Sequence, residues 1–372
     1  MFGSRRYFLG MVGTGLLLGH SQLLKAQQAQ APAMPPPEPV APFPGRSKVA
    51  LIQGEDRRKN VHDALVAIDG QVRPKLLRKK YVIIKPNGVA AHSPFSCTSA
   101  DALRGVLDYL APRFKGPVVI AESSAEDTLE AYESCQYNRL LSEYGKAKLS
   151  LIDLNREAKF ETLPLLDFDL HVTPVRLAAR LLDPDAFVIC AAVMKTHNTV
   201  VATLSVKNMV LGAPLHSAPG ETPFWSDKRK YHAGVRQTNY NMLLTAQKLQ
   251  ANWGAALVDG FEGMEGDGPG AGTPVPSRIA IASTDYIAAD RVALEAMGIN
   301  PQWVGYLIYS GQVGLGQYDL AKIDVLGAPI ASVKRNYRLH QDIQRQLQWM
   351  GPMEDLPPKL GELRQELSKA LA

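Results

Sequence analysis

From Lys48 onward, short apolar runs alternate with amphipathic stretches. The runs Lys48–Gln53, Tyr81–Ile84, Val118–Ala121, Leu149–Leu154, Phe187–Met194, Ala255–Val258, Arg278–Ala282 and Lys322–Leu326 have the length and apolar content of buried strands. Phe187–Met194 is apolar on every side, the pattern of a strand covered by helices on both faces. Between the runs the period changes. Arg57–Ile68 places Val61, Leu65 and Ile68 on one helical face, and Ser99 caps a stretch in which Leu103, Val106, Leu107 and Leu110 recur at helical spacing. Further helices are predicted over 128–144, Tyr240–Leu249, Ile287–Met297 and Trp303–Ser310, while the segments between Leu154 and Leu182 are less regular. This alternation predicts an α/β protein: a mostly parallel sheet with helices on both faces. C-terminal helices are expected to pack outside it, since Leu360, Leu363, Leu367 and Leu371 share one helical face too short for a coiled coil.

The predicted strands end in polar residues. Lys85 and Asn87 follow one, Glu122, Ser123 and Ser124 a second, Lys195, Thr196 and His197 the central one, and Asp259 and Asp285 two more. Lys207 and Asn208 interrupt a further apolar run. In a parallel sheet the carboxyl ends share one edge, where open α/β sheets bind ligands. Two lysines meeting there repel unless an anion or carboxylate lies between them. Glu122 or Asp259 serves in a closed structural network; a bound carboxylate or phosphate serves equally. The ligand reading makes Lys85, Asn87, Glu122, Ser123, Thr196, Lys207, Asn208 and Asp259 binding residues, with Lys195 and His197 catalytic. His197 is the expected proton donor or acceptor, because an ordinary imidazole titrates nearest neutral pH.

A divalent metal is the next expectation to weigh. His197, His232, Glu122 and Asp259 offer suitable nitrogen and oxygen ligands, yet no His-x-x-x-His pair marks a zinc site. The glycines at 263, 266, 268, 270 and 272 lack the Gly-Lys-Ser/Thr ending of a phosphate cradle, so tight turns with positive φ are expected, with a pocket lining as the alternative. No Gly-x-Ser-x-Gly nucleophile elbow is present. Polar residues 215–237, among them His216, Trp225, Lys228, Arg229 and His232, form either a lid or an excursion over the sheet.

Several of these strings together carry a resemblance. Met194-Lys195-Thr196-His197 with Ser205-Val206-Lys207-Asn208-Met209-Val210-Leu211-Gly212, Lys85-Pro86-Asn87 upstream, and Asp259-Gly260 and Glu265-Gly266-Asp267-Gly268-Pro269 downstream resemble the signature of domain-of-unknown-function family 362 over roughly residues 48–330. The resemblance implies a fold and no established activity. His197 and Lys195 after a buried strand are also distantly similar to the nickel-pincer lactate racemases, which implies a metal-assisted isomerase or redox protein as one alternative. A non-catalytic periplasmic ligand- or metal-binding protein is another.

The ends of the chain add a destination. Ser4-Arg5-Arg6-Tyr7-Phe8-Leu9 resembles the twin-arginine export motif, and the apolar part from Met11 to Leu18 is too short to span a membrane. Residues 1–31 are therefore expected to engage the twin-arginine export machinery and deliver a periplasmic protein with no transmembrane span after cleavage. Seven prolines in residues 27–46 mark an extended tether. The expected division is signal 1–31, tether 32–47, α/β domain 48–330 and helical extension 331–372. The chain's net charge of +5 is partly the leader's; without it 38 basic residues face 36 acidic ones, which gives no reason to expect nucleic acid as a partner. Cys97, Cys135 and Cys190 form no Cys-x-x-Cys pair, so no cysteine-ligated iron–sulfur cluster is expected. Cys190 reads as a buried thiol, and whether Cys97 and Cys135 pair stays open.

Overall fold

The structure is a computed structural model and describes residues 43–88, 94–145, 148–232 and 234–351. The segment expected to be a twin-arginine signal, most of the expected tether and the expected leucine face at 360–371 lie outside the described residues. The chain enters through β1 (Ser47–Gln53), α1 (Arg57–Ala67), α2 (Asp69–Leu76), β2 (Tyr81–Lys85), α3 (Ala100–Leu110), β3 (Val118–Glu122), α4 (Thr128–Ser134), α5 (Asn138–Tyr144) and β4 (Leu149–Asp153). A ribbon follows, β5 (Phe160–Leu166) and β6 (Val172–Ala178), before the central strand β7 (Ala186–His197), short β8 (Val201–Thr203) and α6 (Ser205–Gly212). Then come α7 (Val235–Leu249), β9 (Trp253–Glu265), β10 (Thr273–Val275), β11 (Ile279–Ser283), α8 (Tyr286–Met297), α9 (Gly305–Gln312) and β12 (Ile323–Gly327).

The main sheet runs β12-β1-β11-β9-β7-β2-β3-β4, with β8 paired to β7 and β10 to β9. Along that path only β11 runs against its neighbours, so the sheet is mostly parallel as predicted. One face packs on α1 and α3 through Val61, Leu65, Leu103 and Val106 against Val82, Ile84, Ile189 and Leu257. The other carries α6 and α8, both buried along nearly their whole length. The predicted helix 128–144 is broken in two: Gln136, at φ +63°, turns the chain between α4 and α5. Two strands outrun their apolar cores. β7 continues through Lys195, Thr196 and His197 because β8 folds back to pair with those residues. β9 continues to Glu265 because it pairs with Lys195 of β7 and with β10.

Past β12 the described extension carries three short helical segments, Ile330–Val333, Ile343–Gln346 and Leu347–Met350. Gln346 accepts a hydrogen bond from the Val201 backbone, and the Arg236 guanidinium of α7 donates to the carbonyls of Trp349 and Gly351. Among the described residues no helix is long and apolar enough to cross a membrane.

Candidate functional site

At the carboxyl ends of β2, β3 and β7 lies a cavity of about 370 Å³. Asn87, Glu122, Ser123, His197, Lys207, Asn208 and His232 line it, and so does Lys228. The floor is a closed network. Lys85, wholly buried, donates to Glu122 at 2.9 Å and to Asn208 Oδ1 at 3.2 Å, and Asn87 Nδ2 donates to the same Oδ1. Glu122 also accepts the backbone N–H groups of Gly88 and Ser123. Gly212, at the end of α6, closes this floor: a Cβ there would stand 2.0 Å from Lys85 Nζ. Ser123 spends its hydroxyl on Asn155 and the Pro214 carbonyl, while Asn87 Oδ1 is buried without a partner among the described residues.

The wall is cationic. Lys207 stands on the first turn of α6, a helix held by Asp290, whose carboxylate accepts the backbone N–H groups of Ser205 and Val206. Burial pushes the Asp290 carboxyl up to about 7. Burial, aided by the Lys85 charge, pushes Lys207 down to about 8. Lys228, half-buried, donates to the Leu211 carbonyl at 3.0 Å, and desolvation pushes it down to about 7. Sequence reasoning placed Lys228 only in the polar excursion. The usable signal was the run of cations there, but what aims Lys228 inward is tertiary: Asp227 beside it accepts from the Arg176 backbone at 2.7 Å and guanidinium at 2.9 Å on β6. His232 is at the exposed rim.

His197 lines the cavity but differs electrostatically from its expectation. It is 3% exposed, and desolvation together with the Lys207 and His232 charges holds its pKa well below the ordinary imidazole value. Its Nδ1 accepts the Thr199 backbone N–H at 3.0 Å. A neutral ring with Nδ1 accepting carries its proton on Nε2, which makes it a hydrogen-bond donor at neutral pH rather than a base.

Three expected residues are not brought to this cavity. Lys85 pairs in register with Cys190, whereas Lys195, further along β7, pairs with Thr203 of β8 and with Met264 of β9 beyond a register irregularity. Lys195 is wholly buried and donates to the carbonyls of Ser96 at 2.6 Å and Pro269 at 3.4 Å. Desolvation and the Lys207 charge hold its pKa well below the usual lysine value. Thr196 donates to the Gly266 carbonyl, tying β7 to the glycine-rich loop. That loop needs glycine mainly for close approach, since a Cβ at Gly268 would meet the Thr196 carbonyl at 2.2 Å; Gly266 does take a positive φ of +73°. Asp259 is internal to β9, opposite Val193 of β7, and pairs with Arg57 of α1 at 3.4 Å. It faces a separate cavity beside Arg57, Cys97 and Cys135.

The donor set is ill arranged for a cation. Glu122 is saturated, His197 commits Nδ1, and Asp259 is elsewhere; no cluster of three or more His, Cys, Asp or Glu side chains suited to a metal ion occurs among the described residues.

Fold and pocket together define an α/β protein with a cationic cavity at the carboxyl edge of a mostly parallel sheet. The chain belongs to the family described as a domain of unknown function, DUF362, whose model matches residues 82–295. No curated protein matches it. A crystal structure of a protein from Thermotoga maritima is similar over 60% of this chain at 12% identity and a TM-score of 0.37, and the chain covers 55% of that protein's length.

Proposed function

We propose that this protein, acting after export, binds a small anion in the cavity between α6 and the ends of β2, β3 and β7. One observation carries the reading: Lys207 and Lys228 line a cavity whose carboxylate, Glu122, is already matched by Lys85. Two partly desolvated ammonium groups without a carboxylate of their own among the described residues are stabilised by an anionic ligand, and their lowered pKa values record the cost of desolvation. The His197 Nε2–H and the Asn87 amide supply neutral polar contacts that orient such a ligand. In an enzymatic version, Lys228 and Lys207 exchange the proton, because their pKa values lie near neutral pH while that of His197 does not.

Calorimetric titration with inorganic phosphate and with malonate tests the reading. Binding is expected for at least one, weakened roughly 10- to 100-fold in Lys207→Met, as befits loss of one charge-assisted hydrogen bond. Affinity is expected to fall as the pH rises past 8, where Lys207 loses its charge. Equal binding by wild type and by both Lys207→Met and Lys228→Met, or no binding of either anion, rejects it.

A further inference from the structure

The second cavity, about 290 Å³, holds chemistry that the anion site does not use. Cys97 and Cys135 both line it, on segments that the Tyr137 phenol joins by its bond to the Thr98 carbonyl, and the neighbouring Cys97 thiol and burial hold the Cys135 thiol above its ordinary value. No disulfide joins them in the structure. Cys97 is 5% exposed, whereas Cys135, the residue that ends α4, is half-buried and open to the cavity. Cys190 is remote in kind: it sits wholly buried in β7, bonded to Asn208 and the Ser205 carbonyl.

Cys97 also occupies a junction. The carbonyl before it, Ser96, takes the Lys195 ammonium or amine. The residue after it, Thr98, exchanges two hydrogen bonds with the Asn87 backbone and donates its hydroxyl to the Ala191 carbonyl of β7. Tyr137, just past Cys135, donates its phenol to the Thr98 carbonyl. One short segment thus supports Lys195 and Asn87 from below, and a bond at Cys97 would anchor that segment to the α4–α5 turn.

We propose that Cys97 and Cys135 are a thiol–disulfide exchange site, whose closure into an intramolecular disulfide pins the segment supporting Asn87 and Lys195. The oxidant is an external disulfide. One cysteine thiolate attacks it, forming a mixed disulfide and releasing one thiol; the second cysteine then attacks the protein sulfur of that mixed disulfide and releases the other. In sum, two protein thiols and one external disulfide give one protein disulfide and two external thiols. Attack begins at the thiolate of whichever cysteine ionises first, and entry is through the cavity. Arg57 and Arg104 at its wall are already paired with carboxylates, and the Cys97 thiol together with burial holds the Cys135 thiol above its ordinary value, so exchange quickens as the pH rises. The proposal stands whether or not an anion binds in the first cavity.

The test uses the full chain, reduced and then incubated with oxidised glutathione or the smaller hydroxyethyl disulfide. After alkylation and digestion, mass spectrometry should find one peptide pair linked through Cys97 and Cys135, with the intact monomer lighter by two hydrogens and Cys190 alkylated only after unfolding. Hydrogen exchange at the Asn87 and Thr98 amides should be slower in the oxidised protein. Cys135→Ser should stop at a mixed disulfide on Cys97 or fail to react, with no internal link. Recovery of both thiols unreacted under both oxidants, or of stable mixed disulfides without the Cys97–Cys135 link in the wild type, overturns the proposal.

Discussion

Lys85 and Lys195 look interchangeable in sequence, each closing an apolar strand, yet they are held by different partners. Lys85 and Glu122 are both buried and satisfy one another. Lys85→Met strands the carboxylate and is expected to cost about 3–5 kcal/mol, with most of it recovered in the double variant Lys85→Met/Glu122→Gln. Lys195 has carbonyl partners, so Lys195→Met removes the hydrogen bonds to the Ser96 and Pro269 carbonyls at about 1–3 kcal/mol, and Glu122→Gln should give no rescue. Denaturant melts of the four variants separate the two cases. Equal rescue of both lysine variants would show that Lys195 shares the carboxylate after all. The pocket lysines also set a pH dependence. Lys207 and Lys228 titrate at about 8 and about 7 folded, against 10.5 unfolded, so above those values the unfolded chain binds more protons and stability rises with pH. For Lys207 the rise is on the order of 1 kcal/mol per pH unit between about 8 and 9. Above pH 9 the Cys190 thiol, pushed up to about 12 by burial, opposes it. Unfolding free energies measured in an anion-poor buffer should show this slope flattened in Lys207→Met.

At the scale of elements, α6 joins the floor of the pocket to its wall. Its first turn carries Lys207 and Asn208, and its last residue, Gly212, lies against the Lys85–Glu122 pair. Gly212 is not there for an unusual backbone angle, since its φ is ordinary; it is there because the buried ammonium fills the space a methyl would need. Gly212→Ala is therefore expected to destabilise by about 1–3 kcal/mol through overpacking and to weaken anion binding in the same variant. Thermal melts and calorimetry read the two effects; an unchanged melt would mean that Lys85 relaxes freely. The β5–β6 ribbon acts on the opposite wall, where the Arg176–Asp227 pair holds the turn carrying Lys228 and His232.

For the whole molecule, the export expectation is testable apart from the fold. Replacing Arg5 and Arg6 with Lys should leave the protein in the cytoplasm, measured by cell fractionation, and periplasmic accumulation of the double variant would sink it. The sequence by itself determined the α/β class, the strands from β1 to β4 and the polar cluster after Met194, because apolar periodicity and abrupt strand-end polarity are local properties. It placed Asn87, Glu122 and His197 near one edge for the same reason. Tertiary structure decided the rest. Strand ends set by pairing rather than by apolarity moved Asp259 into the interior of β9 and carried β7 on through Lys195. Pairing of β7 with β8 and with the far end of β9 separated Lys195 from Lys85 and gave it the Ser96 and Pro269 carbonyls, which depends on how distant segments align and is written in none of them. Burial and neighbouring charge made His197 neutral and lowered two lysines toward neutral pH, since a pKa belongs to the surroundings of a group and not to its residue type.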